Sequence, residues 1–143
     1  PMHAWTKAEE ILFLWSKGRE IAPTYRVWSR LSCKFCFFMP WREMVASFVA
    51  YPQEAMAFVA LEEQIQHKVT LNYKWPQRAE EPEYFGYRAV WEAVYGPWGS
   101  APGDPSPYAL DVVRAVQTES ERILERLRQG EQVSLQHHAV TCA

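Results

Sequence analysis

At 143 residues, 48% hydrophobic and 22% charged, the chain has the make-up of one folded domain and not of a disordered segment. A net charge of −2 removes any global electrostatic case for nucleic acid, and no apolar run reaches the roughly 18 residues a membrane helix needs. Three cysteines, an odd number, argue against a secreted disulfide framework and for a cytoplasmic protein with reduced thiols.

Pro1 ahead of Met2 reads as the remnant of a removed tag, which makes Met2 the expected native start. Thr6-Lys7-Ala8-Glu9 then fits a capping box. Ala8, Ile11, Leu12 and Trp15 follow at helical spacing, and Gly18 supplies a stop. The first helix is expected over 7–17. An irregular stretch over 19–39 holds Pro23, Arg30, Cys33 and Cys36. Pro40 suits the first turn of a second helix over 41–50, and Pro52 opens a third over 53–67. Val69 to Tyr73 reads as a short strand or an extended connector.

A polar link over 74–82 leads to a fourth helix over 83–95, with Tyr84, Tyr87, Val90, Trp91 and Val94 as its apolar stripe. Gly96 to Pro107, "GPWGSAPGDPSP", has four Pro and three Gly, so it is a loop. The fifth helix is expected over 108–129, ended by Gly130, with Leu110, Val113, Val116, Ile123, Leu124 and Leu127 on its apolar side. Its charges, from Glu119 to Arg128, place like charges four apart, as in Glu121–Glu125 and Arg122–Arg126, so pairing at that spacing is poor. The tail over 131–143 is a final strand or a loose end. The sum is a single, mainly α domain of about five helices with little β structure.

The stretch "WSRLSCKFCFFMPW" from Trp28 to Trp41 carries the most chemistry. Cys33 and Cys36 are spaced to grip one tetrahedral ion. A closed zinc or iron–sulfur site needs about four ligands, and the candidates for the others are His67, His137, His138 and Cys142. A redox couple and plain packing among Phe35, Phe37 and Phe38 are the competing readings, and packing is favoured. Arg30 and Lys34, with Arg26 nearby, form a basic cluster suited to an anion. The competing reading pairs Arg30 with Glu62 or Glu63 as a brace.

The chain holds seven Trp, seven Tyr and seven Phe. Trp75, Tyr84, Tyr87, Trp91, Tyr95 and Trp98 concentrate them in one region. Aromatics with interleaved Arg are typical anchors for a protein partner, and Tyr84, Tyr87, Trp91 and Trp98 are the candidate contacts. Core packing is an equal competitor. Glu80, Glu81, Glu83 and Glu92 in the same region oppose nucleic-acid stacking.

From Trp5 to Glu62 the chain resembles the C-terminal part of phosphoadenosine-phosphosulfate reductase-like proteins, above all the short forms of phages and mobile elements. The resemblance rests on a helix opening with Trp5-Thr6 and closing at Gly18. It rests next on "PTYRVWSRLSCKFCFF", which looks like the family's Pro-x-Tyr, Ser-Arg and Cys-x-x-Cys pattern. Last comes "LEEQ", similar to its Leu-Glu-x-Glu element with the second acid at Glu63. The phosphate-cradling Ser-Gly-Gly-x-Asp-Ser loop is absent from the sequence. Ala22 and Val27 stand where the family often has His and Gly. The extension over 68–130 has no counterpart in the resemblance.

The resemblance without its nucleotide loop implies a non-catalytic, protein-binding regulatory module with no cofactor. A concrete form is a phage regulator docking on a larger host protein such as the transcription machinery. The alternative is a subunit of a split nucleotide-dependent or redox enzyme. It would contribute Cys33, Cys36 and Arg30 to a site completed by another chain, with zinc or an iron–sulfur group through the two cysteines.

Overall fold

The computed structural model describes residues 7–20, 27–28, 33–36, 39–65, 82, 85–99 and 101–129. They form five helices and, among the described residues, no strand: α1 (Lys7–Ser16), α2 (Trp41–Ala50), α3 (Pro52–Ile65), α4 (Tyr87–Tyr95) and α5 (Pro107–Arg128). The mainly α expectation therefore stands. The connector at 69–73 and the tail at 131–143 lie outside the described residues.

The helix ends follow from local chemistry. Past α1, the Gly18 N–H donates to the Trp15 carbonyl at 2.9 Å and the Arg19 N–H to Leu14 at 2.9 Å. This double closure needs a left-handed residue, and Gly18 has φ 65°. Between α2 and α3 the break is set by Pro52. It has no N–H to continue α2, and it disfavours helical geometry at Tyr51, whose φ is −137° and ψ 61°. Gly96, at φ 87°, closes α4 by donating its N–H to Glu92 at 3.0 Å.

α4 starts at Tyr87, four residues later than the apolar stripe suggests. Gly86 sits ahead of it in an extended conformation, φ −102° and ψ 168°. A glycine in extended backbone is a natural boundary, and the apolar period alone does not register it.

The chain divides into two compact units. One comprises Pro1–Leu31 with Gln117–Ala143, and the other Ser32–Val116. In the first, Ile11, Trp28 and Ile123 are buried, and the Arg128 guanidinium lies over the Trp15 ring at 5.0 Å. The region of family resemblance crosses the boundary between the two units.

In the second unit α2, α3 and α4 pack against one another pairwise. Met44, Val45 and Phe48 of α2, Ala55 and Val59 of α3, and Val90, Trp91 and Val94 of α4 are fully or almost fully buried. The opening of α5 joins them through Ala109, Val112 and Val116. The loop before α5 is held at its end by Ser106. Its N–H donates to the Val94 carbonyl at 2.7 Å, its hydroxyl donates to Ala93 at 2.8 Å and accepts from the Ala109 N–H at 3.2 Å. Ser106 thereby caps α5 while tying it to the end of α4. Trp41 adds a link from α2, donating Nε1–H to the Tyr108 hydroxyl at 2.7 Å.

Among the described residues no helix is long and apolar enough to cross a membrane.

Candidate functional site

The cysteine segment ends in a tight turn. The Cys36 N–H donates to the Cys33 carbonyl at 3.4 Å, with Lys34 and Phe35 at the corners, and the Met39 N–H donates to Cys36 at 2.8 Å on the way into α2. The two thiols meet different surroundings. Cys33 is exposed and Cys36 buried, and neither is joined in a disulfide.

Phe35 anchors this turn in the core of the helical unit. It is 6% exposed. Its ring meets Phe48 of α2 edge-on at 5.6 Å and Phe58 of α3 at 4.8 Å. Its carbonyl accepts a 2.7 Å hydrogen bond from the Tyr87 hydroxyl on α4. Tyr87 also lies against Phe58 and Phe48, with ring centroids 5.3 and 6.3 Å away. Helices α2, α3 and α4 thus meet at Phe35, the residue just before Cys36. Burial, with smaller contributions from Cys36 and Glu62, pushes the Tyr87 hydroxyl up to about 12.

Glu62 sits on the inner face of α3, 8% exposed. One carboxylate oxygen accepts from the Tyr87 N–H at 2.7 Å and the other from the Arg88 N–H at 3.2 Å. Those N–H groups belong to the first turn of α4 and have no acceptor within their own helix. A carboxylate there is also favoured by the positive end of the helix dipole. Gly86 makes the approach possible. A Cβ on it would stand 2.5 Å from Glu62 Oε1 and 2.8 Å from Oε2.

The second acid, Glu63, pairs with the Arg88 side chain at 2.6 Å, and Arg88 also reaches Glu92 at 2.9 Å. Glu92 first and then Glu63 hold the guanidinium above its ordinary pKa. The expected brace from Arg30 to Glu62 or Glu63 has an end outside the described residues, since Arg30 is not among them. The partners found for the two acids lie on α4.

Lys34, expected beside an anion, forms an ion pair with Glu54 at 3.1 Å and lies 4.0 Å above the Tyr51 ring. A hydrogen bond from its own backbone, and then Lys34, hold the Glu54 carboxyl below its ordinary range. Of the aromatics offered for a partner, Tyr87 and Trp91 are in the core, 2% and 1% exposed. Trp98 is half-buried and packs edge-on against Trp91 at 5.3 Å. Tyr84 lies outside the described residues. Helix burial explains this distribution: α4 is covered by α2 and α3, so its stripe faces inward.

For metal, no group of three or more His, Cys, Asp or Glu side chains comes together among the described residues. His67, His137, His138 and Cys142, the further ligands considered, lie outside them.

Sequence reasoning missed an apolar pair on α3. Leu61 and Ile65 are 48% and 51% exposed. Four residues apart, they share one face of the helix, while Ala55, Val59 and Glu62 of the same helix are buried. In the sequence Met56, Phe58, Val59 and Leu61 give this helix a broad apolar surface, and that was the available signal, since one side of it exceeds what the core covers.

No protein-family model matches the chain, and neither does any curated protein or solved structure.

Proposed function

We propose that the chain is a non-catalytic, protein-binding regulatory module, acting in the cytoplasm on a larger protein. It is related to the C-terminal part of phosphoadenosine-phosphosulfate reductase-like proteins. Its concrete form is a phage regulator that docks on a host enzyme such as the transcription machinery. The observation carrying this reading is the exposed Leu61–Ile65 pair on α3, in and beside the family-like "LEEQ" element. Paired exposed aliphatics on a rigid helix suit a helical docking face. The neighbouring polar groups support it: Glu62 is occupied with the α4 backbone, Glu63 with Arg88, and Lys34 with Glu54.

The test is quantitative capture from the natural host by the wild-type chain and by the Leu61→Glu/Ile65→Glu double variant. The captured chain is identified and its affinity measured with purified components. Both positions are exposed, so the variant keeps its stability to within about 0.5 kcal/mol, while affinity falls at least about tenfold. Equal affinity in the folded variant removes this face from the proposal. Turnover of a nucleoside triphosphate by the isolated chain removes the non-catalytic reading.

A further inference from the structure

We propose that Cys33 and Cys36 form a redox site, a dithiol that closes to an intramolecular disulfide across the turn they bracket. Three observations carry it, and none depends on the docking face.

The first is reach. The Cys36 N–H to Cys33 carbonyl bond makes the two cysteines the first and fourth residues of a β-turn. Such a turn holds its end Cα atoms within about 7 Å. A disulfide spans Cα separations of about 4.4–6.8 Å. The second is fixation. Phe35, between the thiols, is clamped by Phe48, Phe58 and the Tyr87 hydroxyl. The turn is thus held in its closed form at its own corner.

The third is asymmetry. Cys33 is open to solvent, and Cys36 is buried. A soluble oxidant meets Cys33 first, and the covered thiol then resolves the adduct. The oxidant class is a low-molecular-weight disulfide, such as glutathione disulfide. The Cys33 thiolate attacks one glutathione sulfur, the glutathione S–S bond breaks, and one glutathione thiolate leaves and takes up a proton. Cys36 then gives up its proton and attacks the Cys33 sulfur. The mixed S–S bond breaks, the Cys33–Cys36 bond forms, and the second glutathione leaves as a thiol. Two protein thiols are oxidised, one glutathione disulfide is reduced, and two protons pass from protein to glutathione through solvent.

The experiment uses the full chain, exposed to glutathione disulfide, blocked with N-ethylmaleimide and digested with trypsin. Cleavage after Arg30, Lys34 and Arg42 puts the two cysteines on separate peptides, 31–34 and 35–42. The expected major product is those two peptides joined, and dithiothreitol separates them. In Cys36→Ser, glutathione accumulates on Cys33. In Cys33→Ser, oxidation at Cys36 slows by at least about tenfold, because burial shields that thiol. The inference is overturned if the wild-type chain ends with glutathione on Cys33 and a reduced Cys36, if either thiol joins Cys142 instead, or if neither reacts. The wild-type digest decides alone should a serine variant fail to fold.

Discussion

Glu62 accepts a hydrogen bond from the backbone N–H of Tyr87 at 2.7 Å, across 25 residues of sequence. With its second oxygen on Arg88 N–H at 3.2 Å, one side chain of α3 does for α4 what a local serine or aspartate does for most helices. The N-cap residue itself, Gly86, has no side chain to serve. Tertiary packing of α3 on α4 and the initiation of α4 are therefore one interaction.

Removing that carboxylate leaves two first-turn N–H groups without their acceptor in a largely covered place. Glu62→Ala is expected to cost about 2–3 kcal/mol, the scale of a lost cap together with stranded donors. Glu62→Gln costs less, about 1–2 kcal/mol, since its amide oxygen still accepts while its NH2 faces a donor. Urea unfolding measures both. A cost below about 0.5 kcal/mol for Glu62→Ala, the level of an ordinary surface change, would contradict this role.

Gly86→Ala tests the same relationship from the other side. The backbone there, at φ −102°, accepts alanine without strain. The cost comes from the methyl group, which would stand 2.5 Å from Glu62 Oε1. About 1–3 kcal/mol is expected in the wild-type background, as for an overpacked site. In the Glu62→Ala background the methyl finds the space vacated, and the same substitution becomes nearly neutral. The coupling from a double-mutant cycle should therefore reach at least about 1 kcal/mol; additive effects would show that the two positions act independently.

Much of the helical frame is legible in the sequence because its boundaries are local. Gly18, Pro40, Pro52 and Gly96 each act through their own backbone, and α2 spans the expected residues. The role of Glu62 is not legible that way. Its partners are N–H groups, which every residue has, so no residue type on α4 announces the contact. The one available signal was Gly86, a glycine directly before an apolar-periodic run with no Ser, Thr, Asp or Asn to cap it. The fate of the aromatics was hidden for a related reason. Tyr87 and Trp91 fit a core or an interface equally by type, and only the placement of α2 and α3 over α4 decides their burial. On α5 the charges pair at three residues, as in Arg122–Glu119 at 3.0 Å and Arg114–Asp111 at 3.1 Å, where a reading at four residues found like charges.

Ser106 offers a test of the loop that precedes α5. Ser106→Ala removes the acceptor for the Ala109 N–H and the donor to the Ala93 carbonyl together. The backbone bond from Ser106 N–H to Val94 remains. A loss of about 1–2 kcal/mol is expected, at the upper part of the N-cap range because a second bond goes with it. Ser106→Thr keeps a hydroxyl and should recover most of that loss in thermal unfolding; equal losses for Ala and Thr would show that the hydroxyl is not what matters.

Tyr87 predicts an alkaline limit to stability. Burial is the main reason its hydroxyl is pushed up to about 12 from an ordinary value of 10.0, with Cys36 and Glu62 adding to it. Below about pH 10 the phenol is protonated in both folded and unfolded chains, so its contribution to stability is fully present. Above that the unfolded chain releases the proton while the folded one keeps it. Stability then falls as pH rises, and the contribution is lost by the time pH passes the folded value. Tyr95, shifted upward by burial, adds to the decline in the same direction. Tyr87→Phe has two separable effects. It strands the Phe35 carbonyl, costing about 1–2 kcal/mol at neutral pH, and it removes one titrating group, making the decline above pH 10 shallower. Urea midpoints for both chains between about pH 8 and pH 11.5, bracketing the ordinary tyrosine value, resolve the two. Parallel curves across that interval would mean that Tyr87 ionises in the folded chain as readily as in the unfolded one, and that its burial against Phe35, Phe48 and Phe58 leaves the phenol untouched.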